Sequence, residues 1–145
     1  MKTEWLILAD HVDVVGNKLY LNGGGWDMIT VNTGFPAQQS LGLAAAFSVP
    51  WNETNQRHSV EIEVLTADGV TLAKAAGQLE VGRPPGLPVG QSQRAQLAVN
   101  MTLVLEKPGT YQVVTRVEGQ DDASAHFNVM PGPLLLMKRQ QEGAA

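Results

Sequence analysis

Residues 94–105 read RAQLAVNMTLVL, and this stretch decides the fold. Every second residue is apolar, and these residues are Ala95, Leu97, Val99, Met101, Leu103 and Leu105. Successive side chains of a strand point to opposite faces, so all six share one face of a strand, whereas a helix would scatter them around its surface. The pattern therefore predicts a half-buried β-strand over residues 94–105.

The same alternation recurs outward from this stretch, around residues 18–22, 60–64, 79–81, 111–117 and 125–129. Turn-forming pairs such as Asp68-Gly69 and Pro108-Gly109 separate the runs. Short strands punctuated by Gly and Pro are typical of sandwiches and barrels. We therefore predict an all-β domain, an antiparallel two-sheet sandwich of about eight strands, immunoglobulin-like in style. The domain is expected to span residues 1–130, and residues 131–145 to form a C-terminal tail.

Three segments refine this prediction. Residues 44–46 and 72–76 are rich in good helix formers, but each is interrupted by a glycine nearby, and we interpret both as strands. A short helical turn is expected at residues 52–56, after Pro50. Tyr111 opens a late strand, where sandwich folds often place a corner tyrosine.

Composition narrows the classes of function. The chain has 145 residues, no cysteine and a formal net charge of −4. A disulfide framework is therefore excluded, and without a basic stripe no nucleic-acid partner is expected. The apolar run between Glu4 and Asp10 is shorter than a signal core, and no segment approaches the ~20 apolar residues of a membrane helix. We expect a cytoplasmic protein without a membrane partner.

Residues at turns and in the core carry a resemblance to a known family. They are Ala9-Asp10, Gly16, Lys18-Leu19, Gly25-Trp26-Asp27, Ile29, Pro36, Pro50-Trp51, Asp68-Gly69, Gly109-Thr110-Tyr111 and Val117 to Gly119. In their order the chain resembles a family of uncharacterised bacterial proteins, mostly actinobacterial, built on a domain of unknown function. The resemblance extends to about Met130 and implies a β-sandwich. That family has no assigned activity, so the resemblance supplies no site residues.

Catalytic patterns are absent from the sequence. It has no cysteine nucleophile and no Gly-x-Ser-x-Gly elbow. We interpret His126, which alternation points to solvent, and His58, in a polar loop before a strand, as exposed histidines without function. Asp10-His11-Val12-Asp13 has a metal-like composition, but a metal site needs three or four converging ligands, so we interpret it as a strand end. We expect no enzyme activity, cofactor or metal.

The candidate interaction surface comes from three segments. Its members are Trp26, Trp51, Arg83, Pro84, Pro85, Leu87, Leu134, Leu135, Leu136 and Met137. The two tryptophans lie near strand ends, where an aromatic ring can stack on a sugar, anchor a partner or plug the end of a sandwich. Prolines lack the donor that a ladder needs, so residues 82–90 should form a loop. The apolar run 134–137 should dock on its own domain or on another subunit, one route being an added strand.

These observations favour a non-catalytic protein-interaction or assembly module, with a homo-oligomer or another protein as partner. The alternative is a small-ligand or carbohydrate-binding domain that uses Trp26 and Trp51. An enzyme comes third, because it would need Asp10 and His11 to converge with residues of other strands.

Overall fold

The computed structural model describes residues 1–143, which form nine strands, a short 3-10 helix and one α-helix. The strands are β1 (Lys2–Val15), β2 (Lys18–Gly24), β3 (Met28–Val31), β4 (Ala37–Val49), β5 (Arg57–Thr66), β6 (Thr71–Glu80), β7 (Gln93–Leu105), β8 (Gly109–Val117) and β9 (Gln120–Pro131). The 3-10 helix is Trp51–Glu53, and α1 is Pro133–Gly143. The all-β prediction is confirmed, and no described helix is long and apolar enough to cross a membrane.

The strands form two sheets that enclose one core. Sheet A has the order β2-β1-β4-β7, and sheet B has the order β3-β9-β8-β5-β6. Phe47 and Leu103 of sheet A and Ile62 and Phe127 of sheet B are among the side chains buried between them. The strand predicted from residues 94–105 is β7. Its odd-numbered apolar side chains face the core as the alternation requires.

The antiparallel prediction is wrong at one edge of sheet B, where β3 pairs with β9 in parallel. Sheet B is therefore mixed, while the nine strands of residues 1–143 agree with the predicted number of about eight. β3 has only four residues and lies between a glycine turn and the next loop, so its own pattern does not reveal which strand it pairs with. The pairing of β3 with β9 depends on contacts between residues that are distant in the sequence, and local patterning does not encode such contacts.

The half of the β1–β2 hairpin beyond Ala9 lies across the outer face of β4 and β7 in sheet A. β1 pairs with β4 over residues 2–9 and with β2 over residues 9–15. At the crossing, the Val12 N–H donates to Asn100 Oδ1 at 3.0 Å, and Asn100 Nδ2 donates to the Val12 carbonyl at 2.7 Å. A Cβ at Gly42 would lie 2.9 Å from a Val12 methyl carbon. Gly42 and Ala44 of β4 thus make room for the hairpin.

The structure contains two local features that the sequence predicts. The Tyr111 hydroxyl donates to the Lys107 carbonyl at 2.6 Å, which is the hydrogen bond of a tyrosine corner. The helical turn expected at residues 52–56 forms one residue earlier, at Trp51–Glu53. Pro50 stands at its N-cap with extended backbone angles, so the turn begins directly after the proline.

Candidate interaction surface

β7 is the longest edge strand of the molecule. It has thirteen residues, and its register with β4 runs from Ala37–Leu105 to Val49–Gln93 without a shift. Within residues 1–143, its backbone makes ladder hydrogen bonds to β4 and none to another element. Alternate N–H and C=O groups of β7 therefore point outward from the sheet, available to another strand.

The other three edges carry features that discourage pairing. β2 has seven residues and ends in Gly23-Gly24, and β3 has only four residues. β6 is ten residues long, carries Lys74 and Glu80, and pairs with β5 through a register shift. Short length, charge and irregularity are the usual means by which proteins protect sheet edges. β7 has no proline and no bulge, and Arg94 near its start is its single charged residue.

The β7 edge also presents apolar side chains. Leu97, Val99 and Met101 face the core but are only partly buried, because they line the open side of the two-sheet structure. On the outer face, Asn100 and Thr102 are exposed. A strand added here would find backbone hydrogen-bonding groups and an apolar strip on the same edge. We call residues 93–105 with this free backbone the β7 edge.

Trp51 and Arg83, both named from the sequence, come together at one end of the molecule. The Arg83 guanidinium lies over the Trp51 ring, 4.0 Å from its centroid. Arg83 Nη2 donates to the Trp51 carbonyl and Nε donates to Thr54 Oγ1, each at 2.7 Å. Trp51 is half-buried, and one ring face is already occupied by the cation. Arg83 therefore clamps the start of the proline-rich loop onto the 3-10 helix.

Trp26 packs into the core instead of standing free. Its ring meets Phe127 edge-on, with 6.1 Å between the centroids, and its Nε1 is buried without a hydrogen-bond partner within residues 1–143. The half-buried indole thus plugs the space between the sheets. It also lines a surface cleft of about 300 Å³ together with Asp10, Thr30 and Gln39.

The remaining predicted residues lie apart from each other. Pro84 and Pro85 are exposed and Leu87 is half-buried in the loop between β6 and β7, as the loop prediction requires. The tail is the helix α1 and not an added strand, a correction to the sequence analysis. Leu135 is buried, whereas Leu134, Leu136 and Met137 are exposed. Residues 144 and 145 of the tail lie outside the described residues.

The strand directions place these two segments at opposite ends. The loop follows the end of β6, where Glu80 pairs with Arg57. α1 follows the end of β9, where Pro131 pairs with Val31. β8 and β5 connect these ends, because Val60 pairs with Val117 at one and Thr66 with Tyr111 at the other. The structure therefore does not bring the loop and the tail into one surface.

His58 is buried, contrary to its interpretation as an exposed histidine. It lies within β5 and is 6% exposed. Nδ1 is 2.8 Å from a Glu118 carboxylate oxygen, and Nε2 is 2.7 Å from the Glu53 carbonyl. The Glu53 carbonyl, followed by Glu118, raises the pKa of His58 above its ordinary value, while burial opposes the shift. Both neighbours are acceptors, so the pair of contacts suits the doubly protonated ring.

His126 is exposed, as alternation predicts. The Asp10–Asp13 stretch lies in β1, which ends at Val15 before the Gly16-Asn17 turn, consistent with its interpretation as a strand end. His11 Nδ1 lies 3.5 Å from an Asp13 carboxylate oxygen. Within residues 1–143, no three His, Asp or Glu side chains are grouped so that they could hold a metal ion.

The sequence predicted β7 as a strand but did not predict that its free edge could form an interaction surface. Strand order depends on pairing between distant segments, so an edge strand cannot be recognised from its own pattern. One signal was present: residues 95–105 contain no charge and no proline. Such a run is unusual in a strand with a free edge, because edge strands are normally protected.

Comparison with known proteins identifies a family and little else. A family described as "Family of unknown function (DUF6941)" matches residues 4–130. No curated protein matches the chain. Among solved structures, it is similar to the Pseudomonas fluorescens alkylpurine DNA glycosylase AlkC bound to DNA containing an abasic site analog, with a TM-score of 0.36 and 16% identity. The similarity covers 86% of this chain but only 30% of that one, and a likeness this distant says nothing about activity.

Proposed function

The chain belongs to the family of unknown function DUF6941, as its resemblance predicted, and we propose that it is a non-catalytic interaction module that binds a protein by strand addition at the β7 edge. One observation carries the proposal. Thirteen residues with a single charge form an edge strand in unbroken register.

The physical basis is the backbone of β7. An added strand would satisfy its outward N–H and C=O groups, and each such hydrogen bond contributes about 0.5–1.5 kcal/mol. The strand would also cover the partly buried Leu97, Val99 and Met101. Alternate side chains of the added strand would extend the two faces of sheet A, so the partner segment should itself be extended, uncharged and alternately apolar.

The test compares the two long edges of the molecule. Gln96→Lys with Thr102→Lys places two lysines on β7, and Ala76→Lys with Gln78→Lys places two on β6. We expect the β7 variant alone to lose the association that the wild-type protein shows, either with itself in solution or with a protein captured from the native host. Circular dichroism and thermal melting establish that both variants are folded. Association that survives in the β7 variant contradicts the proposal.

A second candidate function is the binding of a small ligand or a carbohydrate, which the cleft at Trp26 favours. An aromatic ring beside the polar side chains of Asp10, Thr30 and Gln39 is a composition suited to a sugar. We expect a bound saccharide to change the tryptophan fluorescence, and Gln39→Ala to weaken this response. Trp51→Phe is the matched control, because Trp51 lies on another part of the molecule. A response that depends on Trp51 instead would contradict this site.

We also propose a style of fold and a cellular location. The tyrosine corner at Tyr111 supports a fold that is immunoglobulin-like in style, apart from the parallel pairing of β3. A cytoplasmic location is also proposed, and fractionation of the native host with detection by antibody tests it.

A further inference from the structure

We propose that the strand added at the β7 edge is β7 of a second copy of this chain, paired antiparallel about a two-fold axis at Val99. This inference rests on the proposed function, because it names the partner of the same edge. The two copies would join their four-stranded sheets into one continuous sheet of eight strands.

The axis follows from the length of β7 and from its faces. Val99 is the middle residue of Gln93–Leu105, so only pairing about Val99 aligns all thirteen residues with a reversed copy of the strand. In this register, odd-numbered residues face odd-numbered ones. The core-facing side chains of one copy therefore continue the core face of the other, as a continuous sheet requires.

The sequence of β7 is compatible with itself in this register. On the core face, Leu97 lies opposite Met101 of the second copy, and Val99 lies opposite its own counterpart. These are the side chains that a single copy leaves partly buried. Apolar cross-strand pairs of this kind stabilise a sheet. Pairing would thus cover the apolar strip of both copies at once.

Charge does not oppose the pairing. Arg94 lies opposite Val104, so the two arginines stand at opposite ends of the new strand pair. Ten residues of strand separate them, about 34 Å at the usual rise, which exceeds the Debye length of about 10 Å at 0.1 M salt. Arg94 is also neutralised within its own chain, because its Nη2 lies 2.6 Å from a Glu4 carboxylate oxygen.

The outer face can also accommodate the second copy. Gln96 lies opposite Thr102, and Ala98 lies opposite Asn100. The tip of the β1–β2 hairpin reaches β7 at Gln96, where the side-chain amide donates to the Asn17 carbonyl at 2.9 Å. Because Gln96 and Thr102 are six residues apart on each strand, the two hairpin tips lie diagonally across the axis and not against each other.

The register can be tested by exchanging charges across it. Gln96→Lys with Thr102→Lys sets a lysine opposite a lysine at two symmetric places, whereas Gln96→Lys with Thr102→Glu sets a lysine opposite a glutamate at both. We expect the wild-type protein to sediment at twice the chain mass of 15.5 kDa. The lysine–lysine variant should sediment at the chain mass, and the lysine–glutamate variant should return to twice that mass. Amide exchange within residues 93–105 should be faster in the lysine–lysine variant alone.

The outcomes separate this inference from the proposed function. A monomeric wild-type protein over a wide range of concentration overturns the second copy as partner. Strand addition then stands if a host protein is captured through β7, and fails if none is. A dimer that persists in the lysine–lysine variant, with unchanged exchange in β7, overturns both the register and the edge. A dimer lost in both double variants overturns the axis at Val99.

Discussion

At the scale of single residues, His58 connects two parts of the chain that the strands alone leave separate. Its ring bridges the Glu53 carbonyl, at the end of the 3-10 helix, and the Glu118 carboxylate, in the turn after β8. A neutral imidazole can donate one hydrogen bond, but these two acceptors call for two. The sequence could not predict this arrangement, because residues 53, 58 and 118 meet only after β5 and β8 have paired.

This geometry predicts a pH dependence of stability. The pKa of His58 is raised in the folded protein, so its contribution is complete below the unfolded pKa of about 6.5 and is lost as the pH rises through the folded pKa. We expect the free energy of unfolding to decline over that range, because the ring loses one of its two hydrogen bonds when it loses its proton. In His58→Asn the decline should disappear, as measured by urea unfolding at a series of pH values.

The quantity to compare is the difference in the free energy of unfolding between the wild-type protein and His58→Asn at each pH. The Met1 ammonium pairs with Glu53, and Asp121 and Asp122 line the same cleft as His58, so several charged groups surround the ring. A difference that stays constant with pH would exclude the charged imidazole as a stabilising group.

At the scale of elements, the sequence predicted where strands form but not which strands lie side by side. The strand at residues 94–105 is present, because period-two patterning reports one buried face directly. The strands at 44–46 and 72–76, which were interpreted as strands despite their helix formers, are present as well. The parallel pairing of β3 and the crossing of the hairpin were not predictable. Both depend on which strands lie side by side, and a residue's own neighbours in sequence do not carry that information.

The hairpin crossing yields a prediction at this scale. Asn100→Ala removes both hydrogen bonds to the backbone of Val12, a residue with 0% exposure, and leaves its N–H and C=O without partners. Each unsatisfied buried group costs about 1–3 kcal/mol, so we expect the two groups together to lower the free energy of unfolding by about 2–6 kcal/mol. Thr102→Ala, at an exposed position of the same strand, is the control and should lose much less. Equal losses in chemical denaturation would mean that Asn100 does not hold the hairpin.

At the scale of the whole molecule, the candidate contact segments occupy different places. The proline-rich loop, clamped by Arg83, is at one end, α1 is at the other, and the β7 edge runs along the side between them. The apolar tail was one of the interaction signals in the sequence, whereas the structure favours the β7 edge. The apolar run that contains Leu134 can be read directly from the sequence, but the position of a strand at a sheet edge is a property of the finished sheet.

Shortening the chain after Gly132 distinguishes these two contacts. Within α1, Leu135 is the one buried residue of residues 133–143, so its removal should cost about 2 kcal/mol or less. The shortened protein should still sediment at twice the mass of its own chain, because β7 is untouched. Sedimentation of the shortened protein at the mass of a single shortened chain would assign the contact to α1 instead.

The parallel pairing of β3 with β9 also constrains how the chain folds as it is made. Met28 pairs with Asn128, one hundred residues later in the chain. At a synthesis rate of about 5–20 residues per second, β3 waits roughly 5–20 s for its partner strand. During that time sheet A can already assemble around β1 and β4, while β3, whose Ile29 and Val31 are buried in the finished protein, has no strand of sheet B to pair with. The nascent chain therefore passes through a period in which this short segment is available to chaperones, and β9 closes that period when it leaves the ribosome.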